Sequence, residues 1–299
     1  MARAPAQSAA LSAPQARIQS ASLWQHAWRR LRRNKLAVAG GSTIFLLALL
    51  ALGADVVAPY HYTTPNFGRN FEFPSQEFLL GTDHLGRDVL SRLMYGARVS
   101  LTVGVVAESI VLAIGVPLGA LAGYYGGRLD MLLMRFVDVM YAFPRLLFVI
   151  MIMSMLGRGL LNIFIAIGLT GWVRVARLTR AQLLSLKERE FCEAARAAGA
   201  SNLAIIVRHL LPNALTPIII SLTFGIPEAI FTEAALSFIG VGISPPTPSW
   251  GQMVGENQQF IRSYWHLCVF PAMGIATLML AFTFLGDGLR DALDPKLHA

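Results

Sequence analysis

The chain has 299 residues and a mean hydropathy of +0.55, with 55% hydrophobic residues and only 14% charged ones. That balance excludes an ordinary soluble domain of this length and places the chain in a bilayer. The net charge of +8 does not indicate a nucleic-acid partner, because the basic residues are scattered over chain ends and loops rather than interleaved with aromatics on one surface.

Met1 to about Ser22 is rich in Ala, Ser, Gln and Pro, a composition expected to stay disordered. It opens a cytoplasmic tail over residues 1–35, which closes with the basic anchor Arg29, Arg30, Arg32, Arg33 and Lys35. Six apolar segments follow, each near the roughly 20 residues a helix needs to cross the hydrocarbon core. Their expected bounds are Leu36 to Ala58, Val99 to Ala122, Leu132 to Leu156, Leu160 to Val175, Ala214 to Gly240 and Tyr264 to Leu285. The first is too long, and starts too far into the chain, for a cleaved signal core of about 7–15 residues. Gly115-Val116-Pro117 and Phe143-Pro144 fit spans that pack closely or kink.

The expected fold is therefore all-α, a polytopic membrane protein with six transmembrane helices. The first span and its external segment occupy 36–95, the membrane core 96–290, and a cytoplasmic C-terminal tail 291–299. The segment between spans four and five carries Arg174, Arg177, Arg180, Lys187, Arg189, Arg196 and Arg208, so the positive-inside rule puts it, with both termini, in the cytoplasm. Cys192 and Cys268 are the two cysteines, too few for a disulfide framework.

Within that basic segment, residues from Glu188 to Ala198 read as a helix on which Ala194, Ala195 and Ala198 permit close approach of another chain. Gly199 ends it, and Ser201 or Asn202 can cap a second helix with Leu203, Ile206, Val207, Leu210 and Leu211 on one apolar face. Pro212 stops this helix or opens the next span. Two short helices with a bend make a docking handle, not a chemical centre. An interfacial hairpin lying on the membrane is the plainer alternative.

Glu193-Ala194-Ala195, then Gly199, then Leu211-Pro212 resembles the EAA loop of ABC importer permeases, with His209 where isoleucine is common. Gly81-Thr82-Asp83-His84-Leu85-Gly86-Arg87-Asp88, Ala122-Gly123-Tyr124-Tyr125-Gly126-Gly127, Leu236-Ser237-Phe238-Ile239-Gly240, Pro245-Pro246-Thr247-Pro248-Ser249-Trp250-Gly251 and Gly286-Asp287-Gly288-Leu289-Arg290-Asp291-Ala292-Leu293-Asp294-Pro295 are similar to segments of dipeptide and oligopeptide permeases of the C-subunit type. The resemblance runs from about Trp24 onward and implies the type I ABC importer permease fold in a bacterial inner membrane. It assigns coupling to a cytoplasmic ATPase to Glu193, Ala194, Ala195, Gly199, Ala200, Ser201, Leu211 and Pro212. It implies a second, B-type permease subunit, two ATPase subunits carrying ATP and Mg, and an extracytoplasmic substrate-binding protein. Dipeptides or short oligopeptides come first as substrate, with nickel and glutathione as alternatives. This chain itself is expected to bind no cofactor, and it has no Gly-x-x-x-x-Gly-Lys-Ser/Thr phosphate cradle.

Charges inside apolar spans must face protein or water. Glu108, Asp138 and Glu233 are the candidates for a translocation path, and Arg135 and Asp138, spaced i, i+3, are expected to neutralise each other. A role as locks between helices is the reading placed first for these charges, Arg145 and Glu228 included, with Arg145 lacking a sequence partner. If the chain were an ion-coupled secondary transporter, Glu108, Asp138 or Glu233 would titrate, but no paired repeat is visible. His266 and Cys268, two apart on a helix, make a poor chelate, and neither His84 nor this pair commits the chain to a metal.

Overall fold

The computed structural model describes residues 23–293, and in these every regular element is helical apart from one isolated bridge between Thr82 and Asp88. The stretch Met1 to Ser22, expected to be disordered, and residues 294–299 of the C-terminal tail lie outside the described residues. In order come α1 (Leu23–Arg33), α2 (Lys35–Leu52), α3 (Ala54–Val57), α4 (Val89–Tyr125), α5 (Gly127–Ala142), α6 (Arg145–Leu156), α7 (Leu160–Leu186) and α8 (Glu190–Ala197). A short α9 (Asn202–Ala204) runs through a π-helical turn (Ile205–Leu210) into α10 (Leu211–Ile239), and α11 (Trp250–Asn257) and α12 (His266–Leu293) complete the fold.

Five of these helical runs are long and apolar enough to cross a membrane, and the bent pair α5–α6 makes a sixth. Their outward faces keep large apolar side chains exposed, among them Phe45, Leu49 and Leu52 on α2 and Leu161 and Leu169 on α7. Apolar surface of that extent suits acyl chains rather than water.

The structure moves several expected boundaries. The second span starts ten residues earlier, at Val89, where the Asp88 carboxylate accepts the Ser91 amide at 2.8 Å and caps the helix. At 37 residues α4 is ~55 Å long by helical rise, well beyond the hydrocarbon thickness. The third expected span is not one rod: α5 and α6 meet at 87°. Phe143 is extended before Pro144, as the proline ring demands, and Pro144 then starts a new helix. The fourth continues past its arginines to Leu186, because those arginines find partners on other helices. Of the two expectations for Pro212, the structure takes the second: it opens the next span and does not stop the helix before it. It lies at the start of α10, directly after the π-helical turn, and the helical run is continuous from Asn202 to Ile239.

The tightest packing joins α4 to α7. Gly115, Gly119 and Gly123 recur every four residues on one face of α4, and a β-carbon on Gly115 would meet Val175 Cβ at 2.8 Å, on Gly119 Thr179 Cβ at 2.8 Å, and on Gly123 Leu183 Cβ at 2.9 Å. Absent side chains let the two backbones touch, which in lipid supplies the packing that water would otherwise drive. At one end of the bundle, buried Trp250 sits against Gly96 and Gly274 and donates its indole N–H to Leu93 O at 2.9 Å. The same end holds a buried ionic knot. Asp83 Oδ2 accepts Arg87 Nε at 2.7 Å and Arg92 Nη1 at 2.5 Å, and Glu256 of α11 accepts Arg92 Nη2 at 3.0 Å.

Candidate functional site: the bent hairpin and the elbow cavity

At the opposite end of the bundle from Trp250, α8 and α9 form the bent hairpin. Glu190 and Glu193 lie in the first turn of α8 and Arg196 in its last, complementing the helix dipole. Gly199 adopts φ +80°, the left-handed region that L side chains avoid, and the chain reverses there. Ser201 Oγ accepts the Ala204 amide at 3.3 Å and caps the second helix.

The residues singled out for coupling divide into two faces. Glu193, Ala194, Gly199, Ser201 and Pro212 are exposed, whereas Ala195, Ala200 and Leu211 are half-buried against a cluster of Cys192, Ile205, Ile206 and Leu210. Ala195 thus packs inward and does not share the outer small-residue surface with Ala194 and Ala198. The expected apolar face of the second helix is also split. Leu203 and Val207 are 70% and 52% exposed, while Ile206 and Leu210 are buried. The π turn is the reason: Leu211 N bonds back to Ile206 O, five residues away, so the register of the face slips.

Sequence reasoning missed what fastens the hairpin to the bundle. Tyr124, at the end of α4, donates its hydroxyl to Asn202 Oδ1 at 2.8 Å, and its ring lies 5.9 Å from the Arg196 guanidinium carbon. Cys192 is fully buried and packs in one cluster with Leu183 of α7 and Ala214 and Ile218 of α10; burial pushes its thiol pKa up. The hairpin is therefore fastened to α4, α7 and α10 together. The readable signal was an apolar cysteine on the inner side of an otherwise polar helix.

The intramembrane charges form a second constellation around a cavity of about 700 Å3 at the α5–α6 elbow, walled by Tyr141, Phe143, Phe148, Arg145, Arg174 and Glu228. Arg145 pairs with Glu228, which supplies the partner the sequence did not reveal. Arg174 reaches Glu108 at 3.2 Å and Glu228 at 3.8 Å. Asp138 does not pair with Arg135, as their spacing suggested. It takes Arg177 of α7 at 2.6 Å, because a guanidinium on the facing helix sits closer than one a turn away. Glu108 and Asp138 thus hold arginines of the cavity wall. Glu233 does not reach it: its carboxylate is fully buried, accepting Ser237 Oγ and Ser249 Oγ, both at 2.7 Å, and so ties the start of α11 to α10.

Residues 115–299 match the family model described as binding-protein-dependent transport system inner membrane component, and residues 22–75 match the N-terminal TM domain of oligopeptide transport permease C. The chain is 45% identical over 93% of its length to the dipeptide transport system permease protein DppC of Bacillus subtilis, covering 88% of that protein. It is 43% identical to the oligopeptide transport system permease protein OppC of the same organism, with 93% of this chain and 92% of that one covered. The glutathione transport system permease protein GsiD of Escherichia coli is also 43% identical, over 92% and 91% of the two chains. Among solved structures, an inward-facing MetNI methionine ABC transporter superposes on 69% of this chain and 97% of its own, with a TM-score of 0.58 at 20% identity, a likeness of fold.

Proposed function

Because the chain belongs to the family of binding-protein-dependent transport system inner membrane components, we propose that it is the C-type permease subunit of an ATP-driven importer of dipeptides and short oligopeptides. The protein is a polytopic permease of a bacterial inner membrane and not itself the catalyst of ATP hydrolysis. Its partners are a B-type permease subunit, two ATPase subunits that bind ATP and Mg, and an extracytoplasmic binding protein. Both termini and the α8–α9 hairpin face the cytoplasm, in keeping with the arginines of that end.

The observation that carries the coupling role is the hairpin itself: an exposed outer face of Glu193, Ala194 and Leu203, and an inner face locked to α4, α7 and α10. Glu193, Ala194, Gly199, Ser201 and Pro212 meet the ATPase, and Ala195, Ala200 and Leu211 hold the hairpin's shape. ATP-driven closure of the ATPases draws the hairpins together and rocks the bundle outward-open; hydrolysis restores the inward-open state. ATP shifts that equilibrium only through its different affinity for the two states. Glutathione, itself a short peptide, fits the same reading, given the 43% identity to GsiD.

The test is uptake of labelled dialanine into proteoliposomes holding the complete importer and its receptor. Uptake that requires internal ATP and persists with a protonophore is expected. Uptake by this chain alone, or uptake that collapses with the proton gradient, would refute the assignment.

A further inference from the structure

We propose that the elbow cavity between α5, α6, α7 and α10 is a transient binding site for the two charged ends of a passing peptide, with Arg145 taking the carboxylate and Glu228 the ammonium group. The inference rests on the peptide-import reading above and deepens it. Three features of the cavity lead there.

Its volume, about 700 Å3, lies within the roughly 300–1,000 Å3 typical of small-molecule sites, and its aromatic wall of Tyr141, Phe143 and Phe148 offers apolar contact without chemical selectivity. The charges on it are also accessible. The side chains of Arg145, Arg174 and Glu228 are 28%, 42% and 46% exposed, against 2% for Glu108. A ligand that enters the cavity can therefore reach these groups directly, without first opening a buried pair. Glu108, by contrast, is the buried anchor that keeps Arg174 in place.

Donor capacity is left over as well. Arg145 gives one terminal nitrogen to Glu228, yet its Nε is buried with no partner. The guanidinium lies along Gly171, where a β-carbon would come within 3.2 Å of Nη2, so the absent side chain makes its berth. Arg145 also opens α6, whose first turn has no side-chain cap, and the positive helix end adds to the pull on an anion.

A zwitterion can therefore enter by replacing one internal pair with two external ones. Its carboxylate takes Arg145 and the α6 amides, its ammonium takes Glu228, and the sum of charge in the cavity is unchanged. Contacts to the ends are common to all short peptides, so the site is indifferent to side chains. Because the internal Arg145–Glu228 pair competes with the ligand, binding stays weak enough for release, which passage requires.

The experiment uses the assembled importer in nanodiscs, without receptor so that receptor preference does not filter the probe. The probe is a dipeptide of alanine and p-benzoylphenylalanine, photo-crosslinked and mapped by mass spectrometry. Adducts are expected on residues 140–148 and 170–177. Excess dialanine should abolish them, while N-acetyl-dialanine amide, with neither end charged, should not compete. Glu228→Gln keeps a hydrogen-bonding group beside Arg145 but loses the charge, and labelling should fall about tenfold. Should that variant fail to assemble, the competition on the unaltered complex still decides. Equal competition by the blocked peptide, adducts elsewhere, or unchanged labelling in Glu228→Gln overturns the proposal. Dialanine uptake by the complete system read in parallel separates the two levels: uptake with an unlabelled elbow sinks this site alone, and no uptake of peptide sinks the import reading beneath it.

Discussion

Gly199 allows the coupling bend to be tested with its two causes separated. Nothing lies within 4 Å of where its β-carbon would be, so a larger side chain meets no obstacle within this chain. What a substitution must overcome is the backbone, held at φ +80°. For an ordinary L residue that region costs about 1–2 kcal/mol, more for a β-branched one, and Asn tolerates it best. A loss of 1–2 kcal/mol in the bent state corresponds to a roughly 5- to 30-fold smaller population of it. If the ATPase docks only on the bent form, its apparent affinity falls by the same factor. The measurement is binding of the purified ATPase subunit to nanodiscs of Gly199→Asn, Gly199→Ala and Gly199→Val permease complexes, with uptake per ATP hydrolysed alongside. The expected order is Gly, Asn, Ala, Val, the last at least about 30-fold down. Asn and Val are similar in volume, so equal losses for the two would show that space and not backbone decides. Full coupling in Gly199→Val would remove the bend from the mechanism.

Two further outcomes follow from the packing. Gly119→Ala would drive a β-carbon into the Ala176 carbonyl and Thr179, at an overpacking cost of about 1–3 kcal/mol, and Gly119→Leu should prevent α4–α7 assembly. A thermal midpoint that drops for Ala, and loss of chain from the membrane for Leu, are expected; an unshifted midpoint would deny the close α4–α7 contact. Asp83→Asn would leave Glu256 as the one carboxylate for the buried guanidinium groups of Arg87 and Arg92, a loss of about 1.5–3 kcal/mol in the same thermal assay. Burial alone would raise the Asp83 carboxyl, but Arg92, Arg87 and the amides of Arg87 and Leu85 outweigh it and hold its pKa below the ordinary carboxylate value. A folded pKa below the unfolded one gives stability present above the carboxylate range and lost as pH falls through the lowered value. Acid sensitivity below about pH 4 should therefore be smaller in Asp83→Asn than in the unaltered protein; equal sensitivity would place the titrating group elsewhere.

What could be read directly from the chain were properties that repeat locally. Span positions follow from apolar runs long enough for a bilayer, the hairpin bend from Gly199, a second cap from Ser201 or Asn202, and a kink, though not its size, from Phe143-Pro144, because each is set by a residue's own backbone or hydration preferences. Even the α4–α7 contact left a trace in the four-residue spacing of Gly115, Gly119 and Gly123, which names a close approach but not its partner. Pairing between distant residues was different. Spacing joined Asp138 to Arg135, and the fold joined it to Arg177; Arg145 had no sequence partner and found Glu228; Glu233, ranked with the path, became a tie for Ser249. Such choices depend on which helix faces which and at what rotation, and an 87° elbow or one π turn is enough to change them. Local energetics decide the elements, while charges inside a low-dielectric bundle must take whichever partner the packed helices bring within reach.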